Sequence, residues 1–174
     1  MDKLSFQSQD CEITLSDGLE EYRAYLRANG KKQLTDAPGS QVIRDHDATH
    51  VIFGLDTSIE QESMLDSWVL SATSWKLKQL LAYNQLPELK QLTKDFRNDP
   101  GYLRLILTAV KLIPIKLKIW KRSKQMNKKW PFASPDHLMD QRICDLRKEY
   151  GIKILTPDER KVKKPLIWSG TIKN

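Results

Sequence analysis

Apolar residues recur every three or four positions along much of this chain, and this helical spacing constrains the fold more than any other feature. The pattern is clearest after Ser58, where one stripe contains Leu65, Trp68, Val69, Ala72 and Trp75. Only 7 glycines and 8 prolines occur in 174 residues, too few for the turns of a repetitive β architecture. A chain of this length suits one domain with one buried core. The sequence therefore predicts an all-α, single-domain multi-helix bundle.

Helix-start and helix-stop residues divide the chain into three parts. Capping-box patterns begin at Asp17 and Thr57, and typical stops follow at Gly30, Gly54 and Gly151. Together with the apolar spacing, these signals predict helices over about 17–30, 40–54, 58–83, 87–98, 102–125 and 135–150, the fifth kinked at Pro114. We expect a flexible N-terminal arm over 1–15, a helical domain over 16–155 and a basic irregular tail over 156–174.

Cysteine usage and hydropathy indicate the compartment. The N-terminal segment lacks the apolar core of a secretory signal, and no segment approaches the roughly 18 apolar residues of a membrane-spanning helix. Cys11 and Cys144 lie far apart in the sequence and share no metal or redox motif, so we expect no disulfide. These features favour the reducing interior of a cell and a cytoplasmic localisation.

Positive charge is concentrated in the second half of the chain. The formal net charge is +7, the pI is about 9.4, and the basic excess collects after Arg104. Basic and large apolar residues alternate within 102–125, which suits an anionic membrane surface, although a core helix whose lysines extend to water is the alternative. We expect a protein peripheral to the inner face of the membrane, and no nucleic-acid partner because no reader motif accompanies the charge. The expected lipid-contacting residues are Arg104, Lys111, Lys116, Lys118, Lys121 and Arg122.

Two of the three histidines, His46 and His50, lie four residues apart around Asp47. On a helix, positions i and i+4 share a face, so both imidazoles can reach one point in space. Asp47 is adjacent to His46 and three residues before His50, so its carboxylate can lean into the same site. The histidines also continue an apolar stripe, where ionisable groups are costly unless they are paired or bind a metal.

A fourth donor, Glu62, follows His50 after eleven intervening residues. If Leu55 and Asp56 turn the two helices into an antiparallel hairpin, Glu62 lies level with His50. Nitrogen and oxygen donors favour Zn²⁺, with Fe²⁺ and Mn²⁺ as alternatives. In the other interpretation, the histidines are hydrogen-bonded core residues and Glu62 only caps its helix. The predicted metal ligands are His46, Asp47, His50 and Glu62.

The segment 44–62, RDHDATHVIFGLDTSIEQE, resembles the Coq-four family of coenzyme Q biosynthesis proteins. The family signature is H-D-x-x-H followed by eleven residues and a Glu, which this chain has at His46, Asp47, His50 and Glu62. Residues 146–152, LRKEYGI, are similar to the family's C-terminal helix. The resemblance implies an all-helical fold, a metal usually taken as zinc with the four signature residues as ligands, and a peripheral membrane protein of ubiquinone synthesis.

Three functions follow from these observations. The resemblance implies a metal-dependent enzyme that replaces the ring carboxyl of a prenylated aromatic or quinone precursor by hydroxyl, an oxidative decarboxylation at ring carbon 1. Asp47 or Glu62 is then the expected catalytic base. The alternative is a non-catalytic prenyl-lipid-binding or assembly protein for other quinone-biosynthesis enzymes, with a homodimer among the expected assemblies. A metal-dependent phosphohydrolase ranks third, because no histidine precedes His46.

Overall fold

Seven α-helices and two short 3-10 helices make up the regular structure of the residues that the computed structural model describes, which are 4–30, 40–76, 102–133 and 135–162. No strand occurs in these ranges; Thr14 pairs with Arg142 and Thr73 with Trp130 as isolated bridges. The all-α prediction is confirmed. The helices are Leu15–Ala28 (α1), Ser40–Phe53 (α2), Ile59–Ala72 (α3), Tyr102–Lys111 (α4), Ile113–Ser123 (α5), Ile143–Tyr150 (α6) and Pro157–Arg160 (α7), with 3-10 helices over Ser5–Gln7 and Pro135–Leu138.

The N-cap of the first helix, Thr14, lies three residues before the predicted cap. Thr14 accepts a hydrogen bond from the Asp17 amide at 3.1 Å, and the Asp17 carboxylate accepts one from the Thr14 amide, so the capping box is Thr14 with Asp17. The prediction of Asp17 as the cap, with Glu20 as its partner, is wrong. Gly30 follows the helix at φ +67°, the left-handed conformation of a glycine stop.

The third helix is shorter than the sequence predicts. Its N-cap is Ser58 rather than Thr57, and it ends at Ala72 instead of continuing to residue 83. The chain turns away there because the Ala72 carbonyl accepts a hydrogen bond from the Trp130 amide at 2.9 Å, and the Ser74 amide donates to the Trp130 carbonyl. Long-range pairing therefore replaces the next helical turn. The predicted helix over 87–98 and the predicted turn over 31–39 lie outside the described residues.

The segment predicted as one kinked helix consists of α4 and α5, separated at Leu112. Pro114 lies in the first turn of α5, where its missing amide hydrogen needs no helical acceptor. Within the described part of the chain, no helix combines the length and apolar character needed to cross a bilayer.

The last predicted helix is also divided, into the 3-10 helix and α6. Between them, the carbonyls of Met139 and Gln141 accept hydrogen bonds from the Ser16 and Leu15 amides of the first turn of α1, at 2.9 and 3.0 Å. These amides have no acceptor within their own helix. The predicted stop at Gly151 is confirmed, with φ +71°.

Both predicted chain boundaries need correction. The expectation of a flexible arm over 1–15 is wrong for residues 4–15, where Leu4, Phe6 and Cys11 are buried. At the other end, α7 and the buried side chain of Arg160 extend the packed structure beyond the predicted boundary at 155. Residues 163–174 of the predicted tail lie outside the described residues.

One hydrophobic core joins the elements of the described ranges into a single domain, as predicted. Trp68 of α3 stacks on Phe53 of α2 with ring centroids 4.8 Å apart. Gly18 allows α1 to approach both α2 and α6, because a Cβ atom there would lie 2.7 Å from Val51 and 2.8 Å from Ile143. This close approach brings the buried face of α1 against the part of α2 that carries the histidines.

Candidate metal centre

His46 and His50 of α2 and Glu62 of α3 form a cluster of possible metal ligands. One donor atom from each residue lies within 4.8 Å of the other two. Bonds from Zn²⁺ to histidine nitrogen and carboxylate oxygen are about 2.0–2.2 Å long, so small side-chain rotations suffice to place all three donors on one ion. The structure therefore brings together three of the four predicted ligands. The antiparallel orientation of the predicted hairpin stays a prediction.

The orientation of the His50 ring leaves one nitrogen facing the cluster. Its Nδ1 lies 3.3 Å from the Leu55 carbonyl, which can only accept, so Nδ1 carries the hydrogen. In the neutral ring, Nε2 then has a free lone pair. This atom is buried and lies 3.4 Å from Glu62 Oε1, close enough for an ion pair if the ring is protonated. With the ring neutral, two acceptors face each other and call for a proton or a cation between them, and the residues present fit a divalent metal.

The end of α2 supplies the carbonyl that orients His50. Gly54 adopts φ +69°, its amide donates to the Val51 carbonyl, and the Leu55 amide donates to the His50 carbonyl. These two bonds form the Schellman motif that commonly follows a helix. The reversal brings the Leu55 carbonyl back over the His50 ring. The glycine predicted as a helix stop therefore also helps to orient the His50 ring.

Two features around the cluster were not predicted from the sequence. Tyr22 of α1 stacks on His50 with ring centroids 4.8 Å apart and planes 21° apart. Two hydrogen bonds between Gln61 and Asp56 hold the loop between α2 and α3. The Gln61 side-chain amide donates to Asp56 Oδ2 at 2.7 Å, and its oxygen accepts from the Asp56 backbone amide at 2.9 Å. Helical spacing places Tyr22 on a buried face but gives no sign of the stack, and side chains five residues apart follow no periodic signal.

The two histidines have opposite electrostatic environments. Burial and the neighbouring charge of His50 lower the pKa of His46 to about 4, although the Glu62 carboxylate acts against this shift. Burial also lowers the pKa of His50, but the charge of Glu62, a hydrogen bond with Glu62, the charge of Asp47 and the Leu55 carbonyl outweigh it, so the net shift is upward. His46 is therefore neutral at pH 7, as a metal ligand must be.

Asp47 lies beside the cluster but not within it. The donor atoms that lie within 4.8 Å of one another belong to His46, His50 and Glu62 and do not include the Asp47 carboxylate. The Asp47 side chain is buried, and burial raises its pKa to about 6, whereas the charges of His50 and Arg23 lower it. The prediction of Asp47 as a metal ligand is therefore not supported by the geometry, while its predicted position next to the site is.

The six predicted lipid-contacting residues divide into three pairs. Lys118 and Arg122 pair with Glu159 of α7 at 2.8 and 3.0 Å, so they tie α5 to α7. Lys111 and Lys121 are exposed. The other two are Arg104, which belongs to α4, and Lys116, which lines a groove between α3 and α5.

The groove has a volume of about 690 Å³ and an apolar floor edged by lysines. On its α5 side, Leu117 is 56% and Trp120 is 52% exposed. Large exposed apolar residues continue onto α4. Among the described residues, the exposed large hydrophobics are Leu70, Ile106, Leu107, Val110, Ile113, Leu117 and Trp120, which we call the apolar surface.

Comparison of the chain with protein-family models, with curated proteins and with solved structures gives no significant match in any of the three. The functional assignment therefore rests on the chemistry of the cluster and on the sequence resemblance at residues 44–62.

Proposed function

We propose that this protein is a metal-dependent enzyme whose ion is held by His46, His50 and Glu62. The observation that carries the proposal is the buried Nε2 atom of His50, which lies 3.4 Å from the Glu62 carboxylate while the Leu55 carbonyl orients the ring at Nδ1. Catalytic zinc sites typically have three protein ligands and one position for water or substrate, whereas structural sites have four. Two histidines and one carboxylate therefore favour catalysis.

The sequence resemblance supplies the proposed substrate, a prenylated aromatic ring with a carboxyl group at ring carbon 1. When bound, the metal would act as a Lewis acid toward the ring carboxyl or a neighbouring oxygen. We assign the proton exchange with the substrate to Asp47, because its buried carboxyl group interacts electrostatically with His50 and Glu62. Loss of carbon dioxide alone would leave hydrogen at ring carbon 1, and a hydroxyl group there requires a further two-electron oxidation of the ring. The reaction therefore consumes an external oxidant such as molecular oxygen.

The nature of the ion is part of the proposal. Zinc, favoured by the sequence, has no redox chemistry, whereas two histidines and one carboxylate also form the usual site of non-haem iron oxygenases. Zinc-loaded protein would need a separate redox partner, and iron-loaded protein would not. Reconstitution with Zn²⁺, Fe²⁺ and Mn²⁺ separates these cases.

Carbon dioxide release from a prenylated 4-hydroxybenzoate derivative tests the enzymatic proposal. We expect metal-dependent release by the reconstituted wild type and a loss of at least about a hundredfold in Glu62→Gln. His137→Ala is the matched control, because His137 is exposed and lies in the 3-10 helix after Pro135, outside the cluster. Lack of release with all three metals and an added oxidant would reject the proposed reaction.

A second proposal concerns the apolar surface, which we assign to contact with an anionic membrane. Lys116, Lys124 and Lys129 edge the groove, which contains no acidic residue in its lining. Apolar side chains enter the headgroup boundary, while lysines attract anionic lipid at about 1 kcal/mol for each charge near the surface. This arrangement also supports the non-catalytic alternative of prenyl-lipid binding, in which the prenyl tail of the lipid would lie in the groove.

Sedimentation with vesicles tests the membrane proposal. Lys116→Gln/Lys124→Gln/Lys129→Gln should reduce binding to vesicles that contain phosphatidylserine, and Leu117→Ser should reduce it as well. Lys148→Gln/Lys153→Gln removes two exposed charges elsewhere and should bind like the wild type. Equal binding by all variants, or equal binding to neutral vesicles, would contradict a role for this surface.

A further inference from the structure

Two cysteines that are 133 positions apart in the sequence are neighbours in the fold. Cys11 belongs to the segment before α1, and Cys144 lies in the first turn of α6. The Cys144 amide donates a hydrogen bond to the Cys11 carbonyl at 2.9 Å, and the adjacent Ile143 amide donates to the Ile13 carbonyl at 3.0 Å. No sequence motif links the two cysteines, because tertiary structure brings them together.

The backbone hydrogen bond fixes the two cysteines within bridging distance. Standard bond lengths place each Cα within about 2.4 Å of the bonded nitrogen or oxygen, so the two Cα atoms lie less than about 7 Å apart. Disulfides usually span Cα separations of 4.4–6.8 Å. The two thiols also interact electrostatically with each other and with the buried guanidinium of Arg147.

The two thiols differ in exposure. Cys144 is partly exposed, whereas Cys11 is buried, and both are free thiols. Burial raises the pKa of Cys11, although the Ile13 amide and the positive charge of Arg147 act in the opposite direction. A soluble oxidant therefore reaches Cys144 first, and Cys11 is the partner that resolves the product.

We propose that Cys11 and Cys144 are a redox modification site that forms an intramolecular disulfide with glutathione disulfide as oxidant. The Cys144 thiolate attacks glutathione disulfide, forms a mixed disulfide and releases one glutathione thiolate. The Cys11 thiolate then attacks Sγ of Cys144 and releases the second glutathione thiolate. Two protein thiols are oxidised, two electrons reduce one glutathione disulfide to two glutathiones, and the two protons leave with the thiol products.

The bond would fasten the N-terminal segment to α6. Phe6 of that segment packs edge-on against Tyr22, with ring centroids 6.2 Å apart, and Tyr22 stacks on His50. The disulfide would therefore restrain the N-terminal segment that packs, through Phe6 and Tyr22, against His50 of the candidate metal centre. Because it would close a loop of more than a hundred residues, we expect it to raise the melting temperature.

Intact-mass and peptide mass spectrometry of the full chain test this inference. Reduced protein is incubated with millimolar glutathione disulfide and then with dithiothreitol. We expect a loss of about 2 Da, a cross-linked peptide pair containing Cys11 and Cys144, a higher melting temperature, and reversal of all three by dithiothreitol. In Cys11→Ser, the mixed disulfide should persist on Cys144, with a mass gain of about 305 Da.

Three results would overturn the inference. The first is a stable mixed disulfide on wild-type Cys144 without the intramolecular bond, and the second is a cross-link that forms only between two chains. The third is a wild type that does not react at a glutathione disulfide concentration that modifies Cys11→Ser. None depends on whether the protein binds a metal.

Discussion

At the residue scale, the candidate centre depends on how one ring is held. His50 is fixed by the Leu55 carbonyl at Nδ1 and by the Tyr22 ring on its face. Metal-ligating histidines usually donate their second nitrogen to a carbonyl or carboxylate, which fixes the tautomer and orients the ring. The local structure at the end of α2 therefore prepares Nε2 as a ligand before any ion binds.

Arg147 is a buried cation in the described core, and its side chain donates hydrogen bonds to several backbone carbonyls. Its side chain is buried and donates to the carbonyls of Ile52 and Val51 at 2.9 Å each and of Phe6 at 2.6 Å, with a further bond to Ser8. The cation thus binds the carbonyl end of α2, where the helix dipole favours positive charge. Burial lowers its pKa to about 10, so it remains charged at pH 7.

We predict that Arg147→Met lowers the free energy of unfolding by about 3–5 kcal/mol, because several buried carbonyls lose their donor. Chemical denaturation followed by circular dichroism measures the change. Arg142→Met is the matched control: Arg142 pairs with Asp145 at the surface, so its removal should change stability far less. Similar stability of the two variants would contradict the structural role of Arg147.

The sequence predicts which residues form the cluster but not how many of the predicted residues converge. The i, i+4 spacing places His46 and His50 together, and the signature spacing adds Glu62. The same spacing suggests Asp47, whose carboxylate lies beside the three converging donors but is not one of them. Tyr22 and Leu55 could not be predicted as partners of His50, because one contact depends on tertiary packing and the other on a backbone carbonyl.

At the scale of elements, Gly18 sets the distance between α1 and its neighbours. Alanine usually stabilises a helix by about 1 kcal/mol relative to glycine. Here its methyl group would lie 2.7 Å from Val51 and 2.8 Å from Ile143. Overpacking of a core typically costs about 1–3 kcal/mol, which outweighs the helical preference.

We therefore predict that Gly18→Ala destabilises the protein by about 1 kcal/mol, as measured by thermal and chemical unfolding. Ser16→Ala, at an exposed position of the same helix, should leave stability almost unchanged. A stabilising Gly18→Ala would show that α1 does not approach α2 and α6 so closely.

Glu159 connects α5 to α7 in a pH-dependent way. Burial raises its pKa, but hydrogen bonds from Lys118 and the Thr156 amide and the charge of Arg122 outweigh that effect and lower the pKa to about 2. Because the folded-state pKa lies below the ordinary value of 4.5, the stabilisation is present above pH 4.5 and is lost as the pH falls toward 2.

For Glu159→Gln, we predict a loss of about 1–3 kcal/mol at pH 7 that shrinks toward zero near pH 2. Urea unfolding of wild type and variant across this range gives the difference directly. Glu149→Gln serves as the control, since Glu149 pairs with Lys128 at the exposed surface. A difference independent of pH would contradict the ion-pair origin of the stabilisation.

Element boundaries were predictable where the deciding signal is local. Helix α2 has its predicted extent because Gly54 ends it, and the predicted break near Pro114 occurs between α4 and α5. The ends of α3 and the division before α6 were not predictable. They are set by hydrogen bonds from Trp130 to Ala72 and from the start of α1 to residues 139 and 141, which are distant in sequence.

At the scale of the whole molecule, the N-terminal segment is part of the core rather than an arm. Phe6 is fully buried, and the Phe6 carbonyl accepts from Arg147, 141 residues later in the chain. No periodic pattern in residues 1–15 signals this packing. The all-α class and the single core could be predicted from apolar spacing and length, whereas the contacts that close the ends of the chain could not.

Metal binding should stabilise the whole molecule, because the proposed ligands join α2 to α3. A ligand at about a hundred times its Kd adds roughly 2.7 kcal/mol to the stability of the folded state. We predict that chelation lowers the melting temperature of the wild type and that restoring the metal raises it again. Glu62→Gln should respond much less. An equal response of both proteins would place the ion elsewhere.

The metal content of the purified protein tests the central claim most directly. Elemental analysis after reconstitution should find about one divalent ion per chain in the wild type, in Asp47→Asn and in His137→Ala. The ion should be lost in His50→Ala and in Glu62→Gln, with circular dichroism showing that both variants remain helical. A metal-free wild type, or an ion retained in both ligand variants, would contradict the proposed centre and leave the three residues with a structural role.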